Sequence, residues 1–275
     1  MIEAIVRQLE GKTALVFGAG VRGDGWSNGK AAAVAYARAG ARVACVDIDE
    51  IAAAETASVI TAEGGTAMHI QGDVLKLSSI QFAVAAVLAQ FGCIDILHNN
   101  VGVTHMGGPV ELDEATFNLS MELNFGSVYR TAKAVLPHMI ERKSGVVINI
   151  SSLAAIRWTG YPYFAYMAAK AAVNQATVAI AIQYGRSGIR ANCIVPGVID
   201  SPLIYRQIAS QYDSVEQMIE ARNRSVPLGH MGDAWDVANA AVFLASDQAK
   251  FITGVCLPVD GGHSCAIPFA STARQ

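Results

Sequence analysis

Five residues, Tyr166-Met167-Ala168-Ala169-Lys170, set a phenol and an amine four positions apart. At helical spacing the two side chains share one face. A free phenol releases its proton only near pH ~10. An ammonium held beside it in a partly desolvated site favours the phenolate. A phenol tuned in that way can take or give a proton near neutral pH, as alcohol–ketone chemistry requires. The same spacing also occurs on ordinary helix surfaces, so the rest of the chain has to decide.

Short apolar runs alternate with Ala-rich helical stretches. Strands are predicted over Lys12–Phe17, Arg42–Asp47, Ala67–Gln71, Ile94–His98, Val146–Ile150, Arg190–Val195 and Val255–Val259. Helices are predicted over Gly29–Ala39, Glu50–Glu63, Ser78–Phe91, Asn118–Glu141 (with Pro137 kinking its end), Tyr163–Tyr184 and Ala234–Ala245. The polar stretch from Ser201 to Met231 reads as irregular, with short helices. Strict alternation predicts a single-domain α/β fold, a Rossmann-like doubly wound parallel sheet of about seven strands flanked by helices. The domain spans 1–275, with its core over 12–262, a substrate-covering segment over 201–231 and a tail over 263–275.

Composition narrows the function classes. The 275 residues are 52% hydrophobic and 16% charged, with a net charge of −3, so no basic balance points to nucleic acid. No apolar run approaches the ~18 residues that a bilayer span needs. The first twelve residues carry Glu3, Arg7 and Glu10 and lack the apolar stretch of a secretory signal. Of five scattered cysteines, Cys45, Cys93, Cys193 and Cys256 read as buried thiols in a reducing, cytoplasmic setting, and six dispersed histidines form no metal-ligand spacing.

In doubly wound sheets ligands bind beyond the carboxyl ends of the strands. Strand one is followed by Gly18-Ala19-Gly20-Val21-Arg22-Gly23-Asp24-Gly25-Trp26-Ser27-Asn28-Gly29. Such a turn lets the backbone approach a pyrophosphate, which the next helix N-terminus attracts; a plain flexible loop is the alternative. Strand two ends at Asp47, placed to accept hydrogen bonds from an adenosine ribose and to repel a 2′-phosphate, which favours NAD over NADP. Asp47 could instead cap a helix, a role Asp49 also fits. Arg22 is the contrary sign, a cation that would welcome a 2′-phosphate. Gly72-Asp73-Val74, Asn99-Asn100-Val101-Gly102, Ser151-Ser152 and Pro196-Gly197 follow the later strands. Small and polar residues at successive strand ends fit an extended cofactor across the sheet's edge.

Together these residues resemble the short-chain dehydrogenase/reductase family from about Lys12 to Gly262. The resemblance implies that Tyr166 is the general acid/base, and that Lys170 binds the nicotinamide ribose and lowers the phenol's pKa. It implies that Ser152 steadies the substrate oxygen, one residue further from Tyr166 than is usual, with Ser151 as the alternative. Asn124 matches the Asn that holds a relay water. Gly18, Ser27, Asn28, Gly29, Asp47, Asp73, Val74, Asn99, Pro196, Gly197, Ile199 and Ser201 fall on cofactor-contacting positions, along with Tyr166 and Lys170. Val259-Asp260-Gly261-Gly262 resembles the family's C-terminal ending, near a subunit interface. Homotetramers are common in the family, so self-association is expected. One departure stands out. Phe17 replaces a Thr, and about five extra residues separate Gly18 from Gly29, with Ser27 in a glycine's place. The insertion, with Trp26, could fold over the cofactor or reshape the phosphate contacts.

The implied activity is hydride transfer between NAD and a secondary alcohol or ketone, with no metal. Trp158, Tyr161 and Tyr163 would suit an aromatic or otherwise apolar substrate, or would simply pack between loops. Met106, His105, Ile204 and Tyr205 also fall in segments expected to set specificity. Arg157 could pair a substrate carboxylate or form a surface ion pair. Two alternatives remain: an NADP-dependent carbonyl reductase of the same fold, and a non-catalytic dinucleotide-binding sensor, which would need no proton relay.

Overall fold

The computed structural model describes residues 7–21 and 23–266. Arg22 and the tail from 267 onward, both part of the sequence reading, lie outside the described residues. The chain opens with β1 (Thr13–Phe17), α1 (Asn28–Arg38), β2 (Arg42–Asp47), α2 (Glu50–Ala62), β3 (Ala67–Gln71), α3 (Leu77–Phe91) and β4 (Ile96–Asn99). It continues through α4 (Glu114–Met121), α5 (Ser127–Arg142), β5 (Gly145–Ile150), α6 (Phe164–Tyr184) and β6 (Ile189–Pro196). The segment that follows holds β7 (Ile199–Asp200), α7 (Pro202–Gln207), α8 (Val215–Ser225) and β8 (Gly232–Asp233). Helix α9 (Ala234–Ala245) and β9 (Cys256–Val259) end the fold.

Seven strands form one parallel sheet in the order β3-β2-β1-β4-β5-β6-β9, the doubly wound architecture the alternation predicts. Side chains alternate between its faces. Ala14, Val16, Val43 and Cys45 face the layer of α1 and α9, where Tyr36, Val237 and Leu244 are buried. Leu15, Phe17, Ala44 and Val46 face the layer of α3 and α5, with Val87, Phe91, Val135 and Met139. Each fully buried Leu, Ile or Phe contributes about 1.5–3 kcal/mol. Burial on both faces makes β1 a continuous apolar run instead of an alternating one. The strand order reverses between β1 and β4, so a crevice opens there at the strands' C-terminal ends. Among the described residues no helix is long and apolar enough to cross a membrane.

The single helix predicted over 118–141 differs most. Its start lies earlier, where Asp113 caps α4 by accepting Thr116 N–H at 2.8 Å. Between α4 and α5 the helix widens into a π turn over Glu122–Gly126 that contains Asn124. Such widenings often mark functional positions. Pro137 lies within α5, which continues to Arg142. In the polar segment α8 is a full helix capped by Ser214, and β7 pairs with β8 in a second small sheet.

Candidate active site

A cavity of about 450 Å³ opens at the strand ends and runs from Asp47 and Asp73 to Tyr166, Lys170 and Pro196. At its β1 end the inserted turn still closes tightly. Ser27 caps α1, accepting Lys30 N–H at 3.1 Å, and its hydroxyl donates to the Gly20 carbonyl at 3.0 Å. Asn100 Nδ2 donates to the Gly18 carbonyl at 3.0 Å. A side chain on Gly29 would begin 1.9 Å from that same oxygen, so only glycine fits where α1 crosses β1's end. Asn28 lines the cavity, and its Oδ1 is buried without a hydrogen-bond partner. Trp26 does not line this cavity; it packs against Trp235 with ring centroids 4.7 Å apart. The insertion is therefore anchored to α9.

Asp47 holds the turn from the β2 end. One carboxylate oxygen accepts Gly20 N–H at 2.9 Å and the other accepts Asp49 N–H at 3.1 Å. Asp49 caps α2. Asp73 accepts Leu75 N–H at 2.9 Å and pairs with Lys76, and Val74 lies beside it on the cavity wall. Asn99 faces the other way. Its Nδ2 donates to Asn149 Oδ1 at 2.8 Å, inside a polar chain that ends on Thr177. Asn100, not Asn99, lines the cavity.

These groups and cavity fit an extended dinucleotide. An acid stands at one end, a glycine turn and the α1 N-terminus stand in the middle, and Asn28 offers an unpaired acceptor.

Tyr166, Ser152 and Lys170 meet at the far end. Lys170 is 2% exposed, and its ammonium donates to the Ile150 carbonyl at 3.0 Å and the Val101 carbonyl at 3.4 Å. It stands 5.7 Å from the Tyr166 ring centroid. Burial pushes Lys170 down to about 8. Burial also lifts the Tyr166 phenol above its ordinary value, while its hydrogen bond with Ser152 pulls the other way. The depressed phenol expected from the Tyr–Lys spacing is not found here: burial sets the direction and lifts it. Ser151 is occupied elsewhere, donating to the Lys170 carbonyl at 3.1 Å. Ser152 Oγ also caps the short turn after β5, accepting Ala154 N–H at 3.1 Å. Asn124 is fully buried. Its Nδ2 donates to the carbonyls of Val103 and Ser120, both at 2.8 Å, and its Oδ1 accepts Val103 N–H at 3.1 Å.

Pro196, Gly197, Ile199 and Ser201 form the wall beyond β6. Gly197 N–H donates to the Val259 carbonyl at 2.9 Å, and a side chain on it would begin 2.5 Å from Asp260 Cβ. The Val259–Gly262 segment thus backs this wall. Leu203 and Ile204 extend it with aliphatic surface, and Arg206 and Arg222 add two cations. The aromatics named from the sequence sit elsewhere. Trp158 is 66% exposed, and Tyr161 shares a hydrogen bond with Tyr212. Arg157 donates to the Ser264 and Ile156 carbonyls. Sequence reasoning missed Asn100, Arg206 and Arg222. For Arg222 a signal existed: Met218, one helical turn earlier, is apolar and buried, which puts position 222 on the inner face.

Comparison with known proteins agrees with this architecture. Residues 24–264 match the family described as Enoyl-(Acyl carrier protein) reductase. The 2,5-dichloro-2,5-cyclohexadiene-1,4-diol dehydrogenase LinX of Sphingobium indicum is 35% identical over 263 residues, 96% of this chain and 100% of that protein. A short-chain dehydrogenase/reductase from Burkholderia xenovorans superposes with a TM-score of 0.89 at 40% identity, covering 95% of this chain and 99% of that one. The gluconate 5-dehydrogenase of Burkholderia cenocepacia J2315, solved with NADP and tartrate, gives 0.85 at 31% identity over 95% and 98% of the two chains. The chain belongs to the short-chain dehydrogenase/reductase family. It is an NAD(P)-dependent oxidoreductase acting on CH–OH groups.

Proposed function

We propose that this enzyme interconverts a secondary alcohol and its ketone with NAD as the preferred coenzyme, and that Tyr166 is its proton-transfer group. The observation that carries the reading is the meeting of Tyr166, Ser152 and Lys170 at one end of a cavity that has Asp47 at the other. A nicotinamide dinucleotide bound there supplies the carbon that accepts or donates hydride. In the oxidative direction Tyr166 Oη takes the hydroxyl proton as the C–H electron pair departs. Ser152 Oγ hydrogen-bonds the reacting oxygen and stabilises its developing charge. Lys170 holds a positive charge beside the phenolate that forms. Asn124 fixes the loop after β4 by gripping Val103, which steadies the wall facing Lys170. Ketone reduction runs through the same groups in reverse.

Asp47 supports NAD. A 2′-phosphate would meet a carboxylate already oriented by two backbone N–H groups. The neighbour solved with NADP is reason to test the choice directly. The aliphatic wall of Leu203, Ile204 and Val103 supports a substrate with apolar surface near the reacting carbon.

One experiment tests these points: secondary alcohols and ketones assayed at the nicotinamide band, with NAD(H) and NADP(H), on wild type and Tyr166→Phe. Wild type should turn over with higher kcat/KM for NAD. The variant should lose ~10²–10⁴ in rate while still binding cofactor. Wild-type turnover by Tyr166→Phe would remove Tyr166 from its role, and an NADPH preference would defeat the Asp47 argument.

A further inference from the structure

Arg222 is a cation on the wrong face of its helix. In α8 the outer face carries Glu220 and Arg224, which pair with each other at 3.5 Å. The inner face carries Met218, fully buried in a small cluster with Ile204 and Ile208. Arg222 stands one turn after Met218, half-buried, and lines the same cavity as Ser152 and Tyr166. Among the described residues no carboxylate lies within ion-pair distance of it. Its Nε donates only to the Met231 thioether at 3.3 Å, a weak acceptor. Two acids of the same segment are engaged by other groups: Asp200 accepts the Tyr205 hydroxyl, and Asp213 accepts from Gln217.

The charge faces phenols instead. Burial raises Tyr161, Tyr163 and Tyr205, and Arg222 pulls each of them back down. None of these phenols is an anion at neutral pH, so the guanidinium has no counter-ion among the described residues. Tyr163 also locates the charge, because its ring stands edge-on to that of Tyr166 with centroids 6.0 Å apart. Half-burying a guanidinium among apolar and phenolic groups is unfavourable unless an anion completes the site.

We infer that Arg222 binds a carboxylate on the substrate, so that the alcohol is a secondary hydroxy acid and the ketone its keto acid. The inference rests on the reading of Tyr166 and Ser152 as the reacting end of this cavity. Arg222 is then a specificity-determining residue. Its planar fork suits a carboxylate bidentately, which a lysine reproduces only as a point charge.

The test pairs hydroxy acids (lactate, 3-hydroxybutyrate, mandelate) with their methyl esters, on wild type, Arg222→Met and Arg222→Lys. The expected result is a wild-type preference for an acid over its ester. Arg222→Met should then raise KM for the acid by about 30-fold or more, leaving the ester unchanged, with partial recovery in Arg222→Lys. NADH affinity, titrated by nicotinamide fluorescence, should be the same in all three proteins. Equal or better use of the esters overturns the inference while hydride transfer stands. A loss of NADH affinity matching the loss for the acid also overturns it, because the arginine would then hold a cofactor phosphate. If neither acids nor esters turn over, the reading of the reaction fails first. Calorimetric titration of the acids then decides on Arg222: binding abolished by Arg222→Met sustains it, and binding absent or unaffected overturns it.

Discussion

Replacing Gly29 by alanine tests whether the lengthened glycine turn still depends on one close crossing. The new Cβ would stand 1.9 Å from the Gly18 carbonyl oxygen and 2.5 Å from Asn100 Nδ2. Non-bonded atoms settle near 3.5 Å, so the two segments would have to part by about 1.5 Å. The Gly18 oxygen is backbone and cannot rotate aside, and it already accepts Asn100 Nδ2 at 3.0 Å. Overpacking of this kind costs about 1–3 kcal/mol, and the strained Asn100 bond adds about 1 kcal/mol. Unfolding entropy scales with length, so each kcal/mol moves Tm by about 2 °C in a chain of this size. Thermal denaturation should therefore show a fall of about 4–8 °C. The displaced turn also carries the α1 N-terminus, so NADH should bind at least about tenfold more weakly by fluorescence titration. Gly185→Ala is the control: that position has nothing within 4 Å and an ordinary helical backbone, so Tm should stay within about 1 °C. A Gly29→Ala protein with the Tm and NADH affinity of wild type would refute the crossing, and with it the placement of the phosphates at this turn.

Trp26→Ala removes the ring that packs, tilted, against Trp235 but not a cavity wall, so it should lower Tm by about 2–5 °C and leave kcat unchanged. Lost cofactor affinity at unchanged stability would instead put Trp26 over the cofactor. The pH profile follows from the buried pair. Alcohol oxidation needs one proton removed from Tyr166 and Lys170 together, and Lys170 lies at about 8. Oxidative kcat/KM should rise about tenfold per pH unit below that point and level off above it, while ketone reduction is flat below and falls above. An oxidative profile flat from pH 6 to 9 would contradict this.

Elements buried on both faces were the legible ones. Strands β1, β2 and β4 to β6 read as mostly apolar runs because strands inside a parallel sheet hide both sides from water, while the edge strand β3 is only part-buried. Strands β7 and β8 have two residues each, too few to show any period. The N-terminus of α4 was missed because 110–117 mixes acids with Val110, Leu112 and Phe117, yet Asp113 with Thr116 is an ordinary cap pattern. At the site, the choice between Asn99 and Asn100 turned on one step of strand alternation. The register Asn99↔Asn149 sends Asn99 into the sheet's polar chain, and that register depends on two strands distant in sequence. Arg222 stayed hidden for a similar reason. The short apolar stripe of Val215, Met218 and Ile219 marks the inner face of α8, but that this face packs on α7 beside the cavity is set by tertiary contacts.

The spacing of Tyr166 and Lys170 was plain in the sequence, but the sense of the phenol's shift was not, because spacing carries no information about desolvation. Burial acts on both groups at once, lifting the phenol and lowering the amine to about 8. At pH 7 the ligand-free site therefore holds a neutral phenol and an ammonium that is still mostly protonated. The next proton to leave can come from either group. Its departure yields phenol with amine, or phenolate with ammonium, two states of equal net charge. Only the second is the base that alcohol oxidation needs. Lys170 favours that state because its ammonium donates to the Ile150 and Val101 carbonyls, acceptors to which a neutral amine would donate less strongly. The phenol thus becomes a base through the pair's shared proton count, and its reactivity should follow the pair's titration and not that of Tyr166 alone.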